Sequence, residues 1–189
     1  MGSTLSVSQL QGLTSGNDAN VVKVPSGHTL YAPGHVIQVV QGVKTDTFST
    51  TTGANTTYIT VTGLSASITP KYSTSKIMVF LDLKASNSSG AVVHARLMRD
   101  TTAVGIGDAS GSRPRSSTAQ YYDQGDTRNN YALVAMHLDS PATTNQLTYS
   151  VQIAGDGTGY ALNVNTATRK STTVDSLSQS SITLMEIAA

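Results

Sequence analysis

Residues 75–99 read SKIMVFLDLKASNSSGAVVHARLMR, and the period of their apolar positions decides the fold. Ile77, Val79, Leu81 and Leu83 fall at every second position. They share one face of an extended chain, because successive strand side chains point to opposite sides. Met78, Phe80, Asp82 and Lys84 take the other face, which turns polar towards its end. In the second run Val93, Ala95 and Leu97 lie on one face, and Val92, His94, Arg96 and Met98 on the reverse. Ser86, Asn87, Ser88, Ser89 and Gly90 between the runs have the chemistry of a turn. The stretch predicts two strands at the heart of a sandwich, and no residue in it marks a reaction centre.

Outward from this pair the same period recurs. In HVIQVVQGVKTDTFST (35–50), Val36, Gln38 and Val40 alternate with His35, Ile37 and Val39. TTYITVTGLSASITP (56–70) predicts a further pair of strand pieces, split at Gly63 and ended by Pro70, which cannot donate to a ladder. A short strand is expected over 102–108 and a clear one over YALVAMHLD (131–139). Leu147, Tyr149, Val151 and Ile153 alternate with Thr148, Ser150 and Gln152, and GDGTG (155–159) reads as a hairpin turn into YALNVNT. The last strand lies in SITLMEIAA (181–189). Eight to ten strands with turn signals between them, and no amphipathic helix, predict an all-β fold, an antiparallel β-sandwich or jelly roll. A parallel α/β sheet would need helical crossovers, which the pattern lacks.

Three strands, 35–43, 76–81 and 182–187, are apolar on both faces. A two-sheet monomer leaves one face of each strand wet. The doubled pattern therefore predicts an oligomer that covers one outer face. The terminal strand carries the argument: Ile182 and Leu184 share one face, Met185 and Ile187 the other. These four are the expected oligomer interface.

A chain of 189 residues suffices for one domain with a real core and a short extra segment. The net charge of +1 gives no electrostatic case for nucleic acid or an anionic membrane. Cysteine is absent, which excludes disulfides and thiolate metal sites. No apolar run approaches the ~18 residues of a membrane span, and no signal-peptide core opens the chain. Membrane insertion is not expected. Ser and Thr, 24 and 27 residues, make up over a quarter of the chain, and Glu occurs once, at Glu186. That usage favours strands and turns over helix.

Residues 1–34 differ from the rest. Leu5, Val7, Leu10, Leu13, Val21, Val22 and Val24 are more apolar than a solvated tail requires, yet the pieces are too short to bury a face by themselves. The division expected is an extended N-terminal attachment arm, 1–34, ordered by a partner surface or neighbouring subunits, and a β-sandwich head, 35–189.

No chemistry is spelled out. The histidines are His28, His35, His94 and His137. His94 and His137 sit on expected strands and could meet across a sheet near Asp100 or Asp139, but no HxH or HxxxH spacing marks a metal site. Satisfied strand histidines are the expectation. There is no GxSxG elbow and no spaced pair of carboxylates. GIG (105–107) lacks the third glycine and the helix that phosphate binding needs. GDGTG and the acidic stretch 123–126 do not match a calcium loop. No catalytic residue, metal or cofactor is expected, and the chain is read as a non-enzyme.

One block has the composition of a recognition surface: GSRPRSSTAQYYDQGDTRNNY (111–131). Arg113, Arg115, Tyr121, Tyr122 and Arg128 concentrate residue types enriched in binding hot spots, and Tyr with Asn, Asp and Arg also suits sugars. They are the candidate recognition or interface residues. Against this stands a solvated connection whose tyrosines pack back on the core.

PSGHTLYAPGHVIQVVQ, TGLSASITPKYSTSKIMV, HARLMRD followed later by GSR, and the closing SITLMEIAA together resemble a family of small virion proteins of tailed bacteriophages, notably marine and cyanobacterial phages. The similarity runs from about Leu5 to Ala189, and its motifs are structural rather than catalytic. The resemblance implies a surface fibre, spike or decoration protein, commonly trimeric, with an arm for attachment and a β-rich head. By analogy the head is similar to the jelly-roll trimers of tumour necrosis factor and complement. The function this implies is a non-enzymatic virion structural protein at the virion surface, assembled in the host cytoplasm. It would be a homotrimer bound to other virion proteins through 1–34, contributing to attachment through a host glycan or receptor. The alternative is a carbohydrate-binding, lectin-like module.

Overall fold

The computed structural model describes residues 24–51, 57–88, 91–122, 128 and 130–189, with the backbone alone at 91 and 122. The apolar arm positions Leu5 to Val22, Ser89 and Gly90 of the polar break, and the acidic stretch 123–126 lie outside the described residues. The chain divides into two compact units, Met1–Tyr31 and Ala32–Ala189. In the first, the His28 amide donates to the Pro25 carbonyl at 3.1 Å, closing a turn. The second begins three residues before the expected head because Gly34 N–H donates to Ala188 O (2.7 Å) and Ala188 N–H to His35 O (2.9 Å). The chain end thus captures residues 34 and 35.

Among the described residues there are eleven strands: β1 (Val36–Lys44), β2 (Phe48–Thr51), β3 (Ile59–Ile68), β4 (Lys76–Asn87), β5 (Ala91–Arg99), β6 (Thr102–Val104), β7 (Thr118–Tyr122), β8 (Tyr131–Asp139), β9 (Leu147–Gly155), β10 (Ala161–Val164) and β11 (Ser180–Ile187). No described helix is long and apolar enough to cross a membrane. All pairings are antiparallel and form two sheets. Sheet I is built on β4. One of its edges pairs with β11 over residues 76–82 and with β10 over 85–87, and its other edge pairs with β8. β1 extends the sheet beyond β11, and β2 beyond β10. Sheet II runs β3-β9-β5, with β6 and β7 sharing the outer edge of β5. The architecture is an antiparallel β-sandwich of the jelly-roll kind.

Chain order crosses between the sheets repeatedly: β3 is in sheet II, β4 in I, β5 to β7 in II, β8 in I, β9 in II, and β10 and β11 in I. The two strands of 75–99 therefore do not pair with each other. The break between them is a corner from one sheet to the other, and its first two residues are strand. Ser86 and Asn87 are buried, and the Ser86 hydroxyl donates to Thr166 O at 2.8 Å. GDGTG is likewise a sheet-to-sheet connection, from β9 to β10, and not a hairpin.

The core lies between the inner faces. Ile77, Val79, Leu81 and Leu83 of β4 and Ile182 and Leu184 of β11 meet Val93, Ala95 and Leu97 of β5, Tyr149, Val151 and Ile153 of β9, and Val61, Leu64 and Ile68 of β3. Fully burying one such aliphatic side chain is worth about 1.5–3 kcal/mol. The expected pair of pieces over 56–70 is one strand with a bulge between Thr60 and Ser65, where Gly63 takes φ 84°. The bulge brings β3 against β1: a Cβ on Gly42 would stand 1.9 Å from Ser65 O.

A polar hub closes one end of the sandwich. Asn165, fully buried with φ 63°, donates through Nδ2 to Lys44 O (2.8 Å) and Asp46 O (2.9 Å) and accepts from Ser180 Oγ (2.6 Å). Asn tolerates the left-handed region, and here both amide hydrogens and the carbonyl oxygen of its side chain are bonded. The hub ties the β1–β2 and β10–β11 connections together.

Candidate functional site

The outer faces of the two sheets differ in kind. Directly opposed residues of antiparallel strands point to the same face, so the register of sheet I writes its outer surface as rows across β1, β11, β4 and β8. One row is Val39, Met185, Met78 and Leu138. The next is Gln41, Thr183, Phe80 and Met136, and the third is Val43, Ser181, Asp82 and Val134. Met136 is 74% exposed, Val134 62% and Val39 56%. A shallow depression between β8 and β11 is lined by Phe80, Val134, Met136 and Thr183 among others. The carboxylate in these rows, Asp82, is paired with Lys84, so the three rows carry no net charge. On sheet II the outer face of β3 and β9 is polar instead: Ser67 and Thr148 share a hydrogen bond (2.9 Å), and Gln152 Nε2 donates to Thr60 Oγ1 (3.3 Å).

The expected interface residues separate on this geometry. Met185 lies within the outer rows, and Ile187 lies opposite Val36 and Lys76 at their rim. Ile182 and Leu184 are fully buried in the subunit's own core, which corrects their assignment to the interface. Alternation decides it: once sheet II covers the even positions, only the odd ones face outward.

The expected recognition block also divides. Arg113 and Arg115 line a cleft of about 240 Å³ together with Tyr58, Arg96, Ser112 and Pro114. Arg96, on the outer face of β5, stacks on the Tyr58 ring with its guanidinium carbon 3.8 Å from the centroid. Its Nε and Nη2 both donate to Gln152 Oε1, at 2.9 and 2.7 Å. Tyr58 OH donates to Arg115 O (2.8 Å), and Arg115 Nε to Gly107 O (2.7 Å). Burial pushes the Tyr58 phenol above its ordinary range, with Arg96 opposing. Tyr121 lies instead on edge strand β7, opposite Val92 and 56% exposed. Residues 118–122 are strand where a loop was expected, and the Tyr122 side chain is outside the described residues. Arg128 lines a different groove, with Asn130, Arg169, Asp175 and Ser178. There Arg169 Nε donates to Asp175 Oδ2 (3.2 Å), and this pairing holds the Asp175 carboxyl below the usual range. Tyr58 and Arg96 escaped the sequence reading because they lie 38 positions apart, and only the β3-β9-β5 pairing joins them.

The buried carboxylates are tied into the fold. Asp139 accepts two bonds from Arg99 Nη1 (both 2.8 Å), one from Tyr149 OH (2.6 Å) and one from the Ser140 amide (2.9 Å). Burial and this bond push the Tyr149 phenol far above its ordinary value. Glu186, fully buried, accepts from Gln38 Nε2 (2.6 Å) and the Lys71 amide (2.7 Å). His94 and His137 lie on different sheets, on β5 and β8. His94 is not the satisfied strand histidine expected: its Nδ1 is buried without a partner among the described residues, and burial holds its pKa below 6.5. His137 packs under Gly105, where a Cβ would stand 2.8 Å from the ring. No group of three or more His, Asp or Glu side chains that could hold a metal ion occurs among the described residues.

No protein-family model matches the chain, and no curated protein matches it. Among solved structures it is similar to a chain in the structure of infectious bursal disease virus Gx strain, at 14% sequence identity and a TM-score of 0.41. The match covers 92% of this chain and 43% of that one.

Proposed function

We propose that the chain is a non-enzymatic structural protein of a bacteriophage virion. In this reading it is a homotrimeric surface fibre, spike or decoration protein, joined to other virion proteins by residues 1–34 and contributing to host attachment. The observation that carries the reading is the largely apolar outer face of sheet I, in contrast to the polar outer face of β3 and β9 in sheet II. Four strands at ~4.8 Å spacing and three rows ~7 Å apart make a patch of roughly 400 Å². The largest apolar patch on a typical monomer is about that size and is often functional. A standard interface takes about 800 Å² from each partner, so the rims of the face must contribute the remainder. A second copy is the occupant that fits: the three rows have no net charge with which to select an oppositely charged partner, and two such sets of rows do not repel. The sequence resemblance supplies the number three and the virion.

Sedimentation at micromolar concentration is expected to find a trimer. Met136→Asp, which places a charge on the exposed part of the face, is expected to give monomers with an unchanged β-rich circular dichroism spectrum. A wild-type monomer overturns the reading. A Met136→Asp or Met185→Asp chain that stays trimeric removes this face from the contact. The alternative of a carbohydrate-binding module has one observation behind it, the arginine cleft on sheet II.

A further inference from the structure

We propose that the cleft formed by Tyr58, Arg96, Ser112, Arg113, Pro114 and Arg115 binds the acidic group, carboxylate or sulfate, of a surface glycan. The proposal deepens the reading that the 111–131 loops carry recognition and is independent of which face assembles the protein. Three arginines line one small cleft, and no carboxylate lines it among the described residues. The described contacts of Arg96 and Arg115 go to neutral oxygens, of Gln152 and of the Gly107 backbone. Like charges gathered without a counter-charge repel, and an anion between them relieves this. Guanidinium forks match carboxylate and sulfate oxygens in pairs, which an ammonium does not.

The site is held in place before any ligand arrives. Arg96 is fixed by two bonds to Gln152 and by the Tyr58 ring. Gln152 is itself bonded to Thr60. The loop carrying Arg113 and Arg115 is pinned to the sheet by the bond from Tyr58 OH to Arg115 O, and Pro114 restricts the backbone between the two arginines. Groups ordered in advance cost less to order on binding. Tyr58 and Pro114 add apolar surface for the C–H face of a sugar ring.

Size and surroundings favour a glycan over nucleic acid. The cleft of about 240 Å³ suits one ring with its acidic group. A nucleic acid strand needs a basic stripe along its backbone. The β3 and β9 part of the sheet II outer face instead carries Thr60, Ser65, Ser67, Thr148 and Ser150, and the whole chain carries +1.

The test is calorimetric titration of the full chain at low salt with three tetrasaccharides: galacturonic acid, sulfated galactan and neutral galactan. At least one acidic probe is expected to bind at least about tenfold tighter than the neutral one, and the two acidic arms distinguish carboxylate from sulfate. The double variant Arg113→Ala with Arg115→Ala should lose at least about tenfold in affinity while keeping its melting temperature and its sedimentation. Binding of neither acidic probe overturns the proposal, as does equal binding of the neutral one. Inorganic sulfate binding as tightly as the sulfated probe removes the glycan. A short DNA duplex that competes equally makes the cleft a general polyanion site. A double variant that dissociates makes it a subunit contact. A monomeric wild type that binds acidic glycan defeats the trimer and leaves this inference standing.

Discussion

At the scale of single residues, the buried Asp139 and the half-buried His94 both bear on stability. Asp139 sits where the sheets meet, on β8 of sheet I, and is bonded to Arg99 and Tyr149 of sheet II. Asp139→Ala strands a guanidinium and a phenol together, and the expected loss is about 3–5 kcal/mol. Tyr149→Phe removes one bond and leaves the ion pair whole, with an expected loss of about 1–2 kcal/mol. Urea unfolding of the two variants checks the order; equal losses would show that the ion pair adds nothing. His94 is expected to contribute a pH dependence near neutrality. Its folded pKa is depressed below 6.5 by burial, with Asp156 pulling the other way. Its contribution is therefore fully present above about pH 6.5, and is lost as the pH falls from there towards the folded value. Asp46 and Asp175 are also depressed, by Lys44 and Arg169, so their contributions are lost only below the ordinary carboxylate value of 3.8. Melting curves across pH should show the first slope in wild type and not in His94→Leu. A slope that persists in the variant assigns it to another group.

At the scale of elements, the sandwich depends on one very close approach. Ser65 O of the β3 bulge occupies the space that a Cβ on Gly42 would need. Gly42→Ala must push β1 away from β3, and overpacking of this kind costs about 1–3 kcal/mol. The same displacement would disturb β1 as one quarter of the outer rows. The variant is therefore expected to lower both the melting temperature and the association constant; a variant that melts with wild type shows that β1 can slide without cost. β8 is the other telling element. Among the described residues it pairs only with β4, and it presents Val134, Met136 and Leu138 outward. A nine-residue edge strand with no charge before Asp139 is poorly guarded against pairing, which agrees with a role in contact.

At the scale of the whole molecule, Ala32–Ala189 is one compact unit, and the bonds of Gly34 and His35 to Ala188 place its boundary just after Tyr31. Deletion of residues 1–31 is expected to leave a head with the same β-rich circular dichroism spectrum and a melting temperature unchanged within a few degrees. If 1–34 is the attachment arm, the same head is expected to be missing from particles. A truncated head found at normal occupancy assigns attachment elsewhere, and one that fails to fold assigns residues 1–31 to the core.

The strands were legible because alternation is local. Ile77, Val79, Leu81 and Leu83 announce a buried face whatever they pack against, and Met185 and Ile187 announce a second apolar face on the closing strand. The all-β class and the apolar outer face of sheet I follow from that period. Which face turns inward did not follow, since Ile182 and Met185 are equally apolar, and only the placement of sheet II distinguishes them. Strand partners were also beyond the sequence. A polar break such as 86–90 reads the same whether it closes a hairpin or crosses to the opposite sheet, because turn chemistry fixes local backbone angles and not the partner. The arginine cleft was half visible for the same reason. Arg113 and Arg115 are neighbours in the chain, whereas Tyr58 and Arg96 join them only through a register set by long-range strand pairing.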